Sequence, residues 1–170
     1  MKNLQPTDFP AYFTQYINQV EEDDCIEALE DSMNDFIDFI ENIAVEKHEF
    51  RYQPEKWSIK EIVQHIIDAE RIFAYRALRF ARFDRTALAG FEENDYVAVA
   101  QSDKRSMSDL LQEFILVRKA TIKMFESFSE GMLSSMGIAS GGDIKVLAIG
   151  FIISGHVIHH QKVIIERYMK

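Results

Sequence analysis

Apolar positions recur at helical spacing through most of this chain. A short helix is predicted over Pro10 to Gln19. The first long helix is expected from Asp24 to about Lys47, because Ile26, Leu29, Met33, Phe36, Ile37, Ile40 and Ala44 follow one another at steps of three and four. Glu21, Glu22, Asp23 and Asp24 stand at its start, where negative charge suits the helix dipole. The second helix has a written start signal. Ser58-Ile59-Lys60-Glu61 reads as a capping box, and Trp57 and Ile62 stand where a hydrophobic staple needs them. Its stripe continues through Ile66, Ala69, Ile72, Phe73 and Phe80 to about Arg82. A connection from Phe83 to Arg105 follows, long for a compact bundle and of the kind that carries function. A third helix is predicted from Ser106 to about Phe128, burying Leu110, Phe114, Val117, Thr121 and Phe125, with Gly131 as a break.

Ser140-Gly141-Gly142 then introduces a fourth helix, expected from about Asp143 to Tyr168. Its first half, Val146 to Ile153, is apolar nearly all round, which suits the most enclosed member of a bundle. With no convincing strand, the pattern predicts an all-α four-helix bundle with a short extra N-terminal helix, as a single domain over residues 1–170.

Composition narrows the classes of function. The net charge of −9 argues against nucleic acid and against an anionic membrane surface. The cluster Arg71, Arg76, Arg79, Arg82 and Arg85 is best read as a solvated face paired with acids. Cys25 is the single cysteine, so no internal disulfide forms; beside Asp24 and near Glu27 it is expected to be structural. The first residues show no apolar signal region, and a cytoplasmic protein is expected.

Chemistry concentrates in the histidines. Of five in the chain, three lie in Gly155-His156-Val157-Ile158-His159-His160. His156 and His160 are one helical turn apart and can share a metal ion; His156 and His159 are the other possible pair. His65, in the middle of the second helix beside its apolar stripe, is the best third ligand, since a bundle core collects ligands from facing helices. Three neutral imidazoles suit Zn, Ni, Cu or Fe(II), and leave a position open for water or substrate. Glu61 is explained by its capping box, whereas Asp68, nearly one turn beyond His65, is free to orient a ligand or act as a base. Glu70 with Arg71 and Glu166 with Lys162 read as surface charge, and His48 as a helix-end cation.

Two stretches also resemble a known family. Trp57-Ser58-Ile59-Lys60-Glu61 running through His65, Asp68 and Glu70 is similar to the W-S-x-x-E-x-x-x-H-x-x-D-x-E signature of the DinB/YfiT superfamily, and Gly155 to His160 is similar to its closing G-H-x-x-H-H motif. Leu88 to Tyr96 resembles a loop common in these proteins. The resemblance implies an up-down-down-up bundle with a metal, commonly Zn or Ni, on His65, His156 and His160. It leaves His159 outside the ligand set and implies a homodimer. It further implies a small-molecule substrate and a metal-dependent S-transferase using a low-molecular-weight thiol; on that hypothesis Tyr75, Arg76 and the Phe83 to Arg105 connection help form the cofactor pocket, with Arg76 a candidate for a cofactor carboxylate. The alternatives are a metal-dependent hydrolase, in which a metal-bound hydroxide attacks and Asp68, His159 or Glu61 serves as base, and a non-enzymatic metal-binding or dimerisation module.

Overall fold

A computed structural model of the chain describes residues 4–170. Two 3-10 turns, Pro6–Asp8 and Ala11–Phe13, lead into the one-turn helix α1 (Thr14–Ile17). The helix expected over Pro10 to Gln19 is thus half 3-10 and half α. The remaining helices are α2 (Cys25–Glu41), α3 (Ile59–Ala81), α4 (Glu93–Ala100), α5 (Met107–Glu126), α6 (Glu130–Leu133) and α7 (Val146–Tyr168).

Helix boundaries follow local chemistry. Asp24 caps α2 by accepting from the backbone N–H groups of Ile26 and Glu27. The helix stops at Glu41, short of the expected Lys47. The Asn42 side chain donates back to the Asp38 carbonyl at 2.7 Å, and Ala44 turns extended before a separate 3-10 turn, Val45–Lys47. At α3 the capping box is complete: Ser58 Oγ accepts from the Glu61 N–H, and Glu61 accepts from the Ser58 N–H at 2.6 Å.

The four long helices form a ring in which α2 packs on α5 and α7, and α3 packs on the same two. Consecutive α2 and α3 therefore face each other across the diagonal. One end of the core joins Ala28 and Leu29 of α2 and Val146 and Ile149 of α7 to Phe80 of α3 and Phe125 of α5. The other end joins Phe36 and Ile40 of α2 and Ile164 of α7 to Ile59 and Ile62 of α3 and Leu110 of α5. The first end collects the starts of α2 and α7 with the ends of α3 and α5. Hence α2 and α7 run one way, α3 and α5 the other, in an up-down-down-up bundle. Because α3 and α5 are parallel neighbours, the chain must return along the bundle between them, which is why their connection is long. It is not structureless: it carries α4.

The expectation that the chain holds no strand fails. Two short strands, β1 (Met136–Ala139) and β2 (Gly142–Lys145), form an antiparallel hairpin immediately before α7, so that helix begins at Val146 rather than Asp143. Ser140 and Gly141 make the two-residue loop with φ of 51° and 80°, the positive pair a type I′ turn requires. Gly131, expected as a break, lies inside α6. The hairpin also holds the long connection: Leu88 donates to the Ile138 carbonyl and accepts from the Ser140 N–H, at 2.9 and 3.0 Å.

A second correction concerns Glu70. It is not surface charge but 2% exposed, facing an Arg118 that is fully buried. Arg118 Nε and Nη2 donate to the Glu70 carboxylate at 2.9 to 3.0 Å, and Nη1 donates to the Leu29 carbonyl and Ser32 Oγ at 2.8 Å. One buried pair thereby ties α2, α3 and α5 together, with its hydrogen-bonding capacity used. Among the described residues, no helix is long and apolar enough to cross a membrane.

Candidate metal centre

His65 projects from α3, and His156 and His160 project from successive turns of the antiparallel α7. The Nε2 atom of His156 lies 3.1 Å from that of His65 and 3.1 Å from that of His160. The candidate ligand atoms of all three lie within 4.8 Å of one another. A tetrahedral ion with metal–nitrogen bonds of about 2.0–2.1 Å holds two ligand nitrogens roughly 3.3 Å apart. The spacing here is therefore close to what such an ion needs. The chemistry agrees. A neutral ring nitrogen carries either one hydrogen or one lone pair, so three Nε2 atoms converging on one point cannot all be satisfied by bonding one another. A cation satisfies all of them.

Burial keeps these rings neutral. It lowers the pKa of His65 to about 4. For His156 and His160 burial again acts first, and the neighbouring imidazoles push in the same direction, so both fall well below the ordinary histidine value. At neutral pH the cluster presents three lone pairs, the form that binds metal.

Gly155 explains how the N-terminal segment reaches the site. A Cβ there would stand 2.1 Å from the Tyr16 carbonyl oxygen. Its absence lets α1 lie directly on α7, with the Tyr16 ring edge-on to His156 at 5.4 Å and to His159 at 5.2 Å. On the other side the Trp57 ring packs at 4.7 Å from His65. The staple residue before α3 is thus also a wall of the site.

The cluster opens on a cavity of about 640 Å³. Its walls come from the bundle (Ala69, Phe73) and from segments outside it: Tyr12 and Phe13 at the N-terminus, Phe91 and Glu93 in the long connection, and Ser140 to Gly142 in the hairpin turn.

The other expected site residues divide. Arg76 lines the cavity and is 5% exposed; its Nη2 donates to the Ala89 carbonyl at 3.1 Å and to Ser140 Oγ at 3.0 Å. Tyr75 points away: it is 51% exposed, carries the Arg79 guanidinium over its ring and bonds it through its hydroxyl. Asp68 is not brought to the histidines. It accepts from Gln64 Nε2 at 3.0 Å, and lines a separate depression with Arg71, Tyr96 and Val99. Burial raises its pKa. Glu61 is held by its cap and by Arg51. His159 is half-buried, its ring 5.2 Å from that of His160, and faces a neighbouring depression lined by Tyr52 and Val163. His48 bonds the Ile43 carbonyl, far from this chemistry. The expected paired arginine face holds for Arg71 and Arg79, which meet Glu113 and Asp84. It fails for Arg76. Cys25 is buried, and burial raises its thiol to about 12. Glu93, overlooked in the sequence because it sits in a run of acids within the connection, is the carboxylate that lines the cavity.

The fold has counterparts among solved structures. YfiT from Bacillus subtilis, a probable metal-dependent hydrolase with an unusual four-helix bundle topology, superposes with a TM-score of 0.75 at 14% identity, over 84% of this chain and 82% of that one. A mycothiol-dependent maleylpyruvate isomerase superposes with a TM-score of 0.67 at 9% identity, over 81% of this chain but only 58% of its own. No curated protein sequence matches. The family model of the DinB superfamily matches residues 28–164, which contain all three clustered histidines. With the diagonal bundle and the closing Gly-His motif both in place, this chain belongs to the DinB superfamily.

Proposed function

We propose that this protein is a metal-dependent enzyme acting on small molecules, and specifically an S-transferase that activates a low-molecular-weight thiol for attack on an electrophile. The observation that supports it is the open side of the His65, His156 and His160 cluster, which faces a cavity of about 640 Å³, room for a small thiol and a second reactant together. Zn or Ni suits the three imidazoles. When bound, such an ion lowers the pKa of a thiol or water that coordinates it.

The chain's own residues then divide the work. The three histidines hold the ion through uncharged donors, so none of its positive charge is neutralised by the protein. Phe73 and Tyr16 seat the carbon skeleton of a bound molecule and keep water from the floor of the cavity. An ionised thiol needs no protein base, and this fits the engagement of Asp68 with Gln64 and of Glu61 with Arg51. A cytoplasmic homodimer is part of the proposal, and sedimentation velocity checks the assembly.

Glu93 favours a second reading. Its carboxylate borders the same cavity and would serve as general base in a metal-dependent hydrolysis.

The test begins with metal content. Elemental mass spectrometry of untagged protein is expected to give near one equivalent of a transition metal, lost in the His156→Ala/His160→Ala variant. The loaded protein is then assayed with a panel of small thiols and an alkylating electrophile. Metal-dependent conjugation supports the transferase. Turnover of esters or amides without added thiol replaces it with the hydrolase, and a protein that takes up no metal removes both.

A further inference from the structure

Arg76 is a buried cation without an anion. It is 5% exposed, and its hydrogen bonds within the described residues are the two from Nη2, to the Ala89 carbonyl and Ser140 Oγ. Both acceptors are neutral, and no carboxylate lies within ion-pair distance of it among the described residues. An arginine carries donors on Nε and both terminal nitrogens and cannot shed its charge. Among the described residues Nε and Nη1 thus have no protein acceptor, and neither atom is fully buried, since the one fully buried side-chain polar atom there without a partner is Oε1 of Gln19; Arg76 itself lines the cavity. Burying such a group without a counter-charge is costly. The structure accepts that cost and fixes the guanidinium in place through the long connection and the hairpin turn.

Its position relative to the histidines is set by one side chain. Phe73, one turn earlier on α3, has its ring 5.8 Å from the Arg76 guanidinium and 6.2 Å from the ring of His156. A molecule lying along Phe73 would reach both. The remaining charge in the cavity is Glu93, a carboxylate with no ion pair of its own among the described residues. Beyond an ion at the histidines, Arg76 is the one cationic side chain on the walls, so one carboxylate meets it, while Glu93 disfavours a polyanion such as a nucleotide, whose phosphates it would repel.

We infer that the cavity takes a small molecule bearing a carboxylate, which docks on the free Nε and Nη1 donors of Arg76 while its reactive end lies at the three histidines. This rests on the metal-dependent reading of the site above, and names the substrate class for it. The carboxylate belongs either to the thiol or to the electrophile, and the chemistry at Arg76 is the same for both. Charge-assisted bonds of this kind discriminate strongly between a carboxylate and its neutral isostere. Arg76 binds and positions the substrate; it does not act on the reacting atoms.

The experiment uses isosteric pairs on the zinc-loaded full chain. In one arm, 3-mercaptopropionate is compared with 3-mercaptopropanamide by titration calorimetry, which reads binding whether or not turnover occurs. In the other, iodoacetate is compared with iodoacetamide as electrophile toward a fixed neutral thiol, reading KM apart from kcat. A preference of about tenfold or more for the carboxylate in one arm is expected, and that arm identifies the source. The preference is expected to fall to about twofold in Arg76→Gln and to be partly kept in Arg76→Lys, the loss being read in affinity and KM. Equal affinity for carboxylate and amide in both arms of the wild type overturns the inference without any variant. A preference that survives Arg76→Gln also overturns it, by assigning the effect to the metal's charge. Carboxylate-selective binding with no transferase activity leaves this inference standing and removes the transferase. Transfer with no carboxylate preference does the reverse.

Discussion

The α-carbon of Gly155 and the main-chain carbonyl of Tyr16 are in direct contact: a methyl group on Gly155 would lie 2.1 Å from that oxygen. The glycine one residue before His156 is what allows the N-terminal segment to close one side of the histidine site. Gly155→Ala forces α1 away from α7, because backbone on both sides has no room to give. A loss of about 1–3 kcal/mol is expected, read as a fall of several degrees in the thermal midpoint. Quenching or exchange at Tyr16 should increase in the same variant. An unchanged midpoint would mean that the two segments are not packed as described.

The Glu70–Arg118 pair, sealed between α2, α3 and α5, predicts a non-additive response. Glu70→Gln or Arg118→Met alone leaves a buried charge uncompensated and should cost about 3–5 kcal/mol. Removing both charges with residues of similar volume should recover much of that. Urea unfolding of the two single variants and the double variant measures the coupling directly.

Stability of the metal-free protein should fall with acid over a definite window. His65 has its pKa lowered to about 4 in the fold, against an ordinary 6.5. Between those values the unfolded chain takes up a proton that the folded chain refuses, so stability is kept above pH 6.5 and lost as pH drops towards 4. His65 alone accounts for roughly 3 kcal/mol of this change, and His156 and His160 shift in the same direction. The urea midpoint of the apoprotein against pH checks the sign; a midpoint that is flat or rises on acidification contradicts it.

Cys25 should be inert in the native state. It is buried and its thiol is held at about 12, through burial first and then the charge of Asp24. Its sulfur also lies where a Cβ on Gly150 would sit, at 2.2 Å. Reaction with a disulfide reagent at pH 8 should be negligible until denaturant is added, and then reach one thiol per chain. Rapid native labelling would show the N-terminus of α2 to be open.

How much of this could be read in advance depends on how local each signal is. The start of α3 was legible to the residue, because Ser58 and Glu61 satisfy each other's backbone within four positions. The histidines were legible as well: His65 stands beside the apolar stripe of its helix and His156 pairs at helical spacing with His160 or His159, and the family's pattern decided for His160. The hairpin was hidden because its strands span four residues each, three glycines fall within or between them, and no apolar alternation marks them. Glu70 misled for another reason. Its partner lies 48 residues away, and nothing in either residue's neighbourhood distinguishes a buried ion pair from surface charge. The sequence offers Arg76 and Tyr75 together, yet adjacent positions on a helix point roughly a quarter-turn apart; only the packing of the long connection decides which of them faces the cavity.

The histidines stand on two of the bundle's rigid helices, but much of the wall that a substrate would touch comes from the N-terminal turns, the connection before α4 and the hairpin turn. Segments of that kind accept substitution and insertion with little effect on the core beneath them. On the proposed reading, ion and substrate are therefore under separate genetic control: a lineage could replace Phe91, Glu93 or the Ser140–Gly142 turn and acquire a new preference while the three imidazoles stay as they are. Relatives sharing this bundle at 14% identity or less need not share a reaction, and the cavity lining, more than the histidines, is where their specificities would diverge.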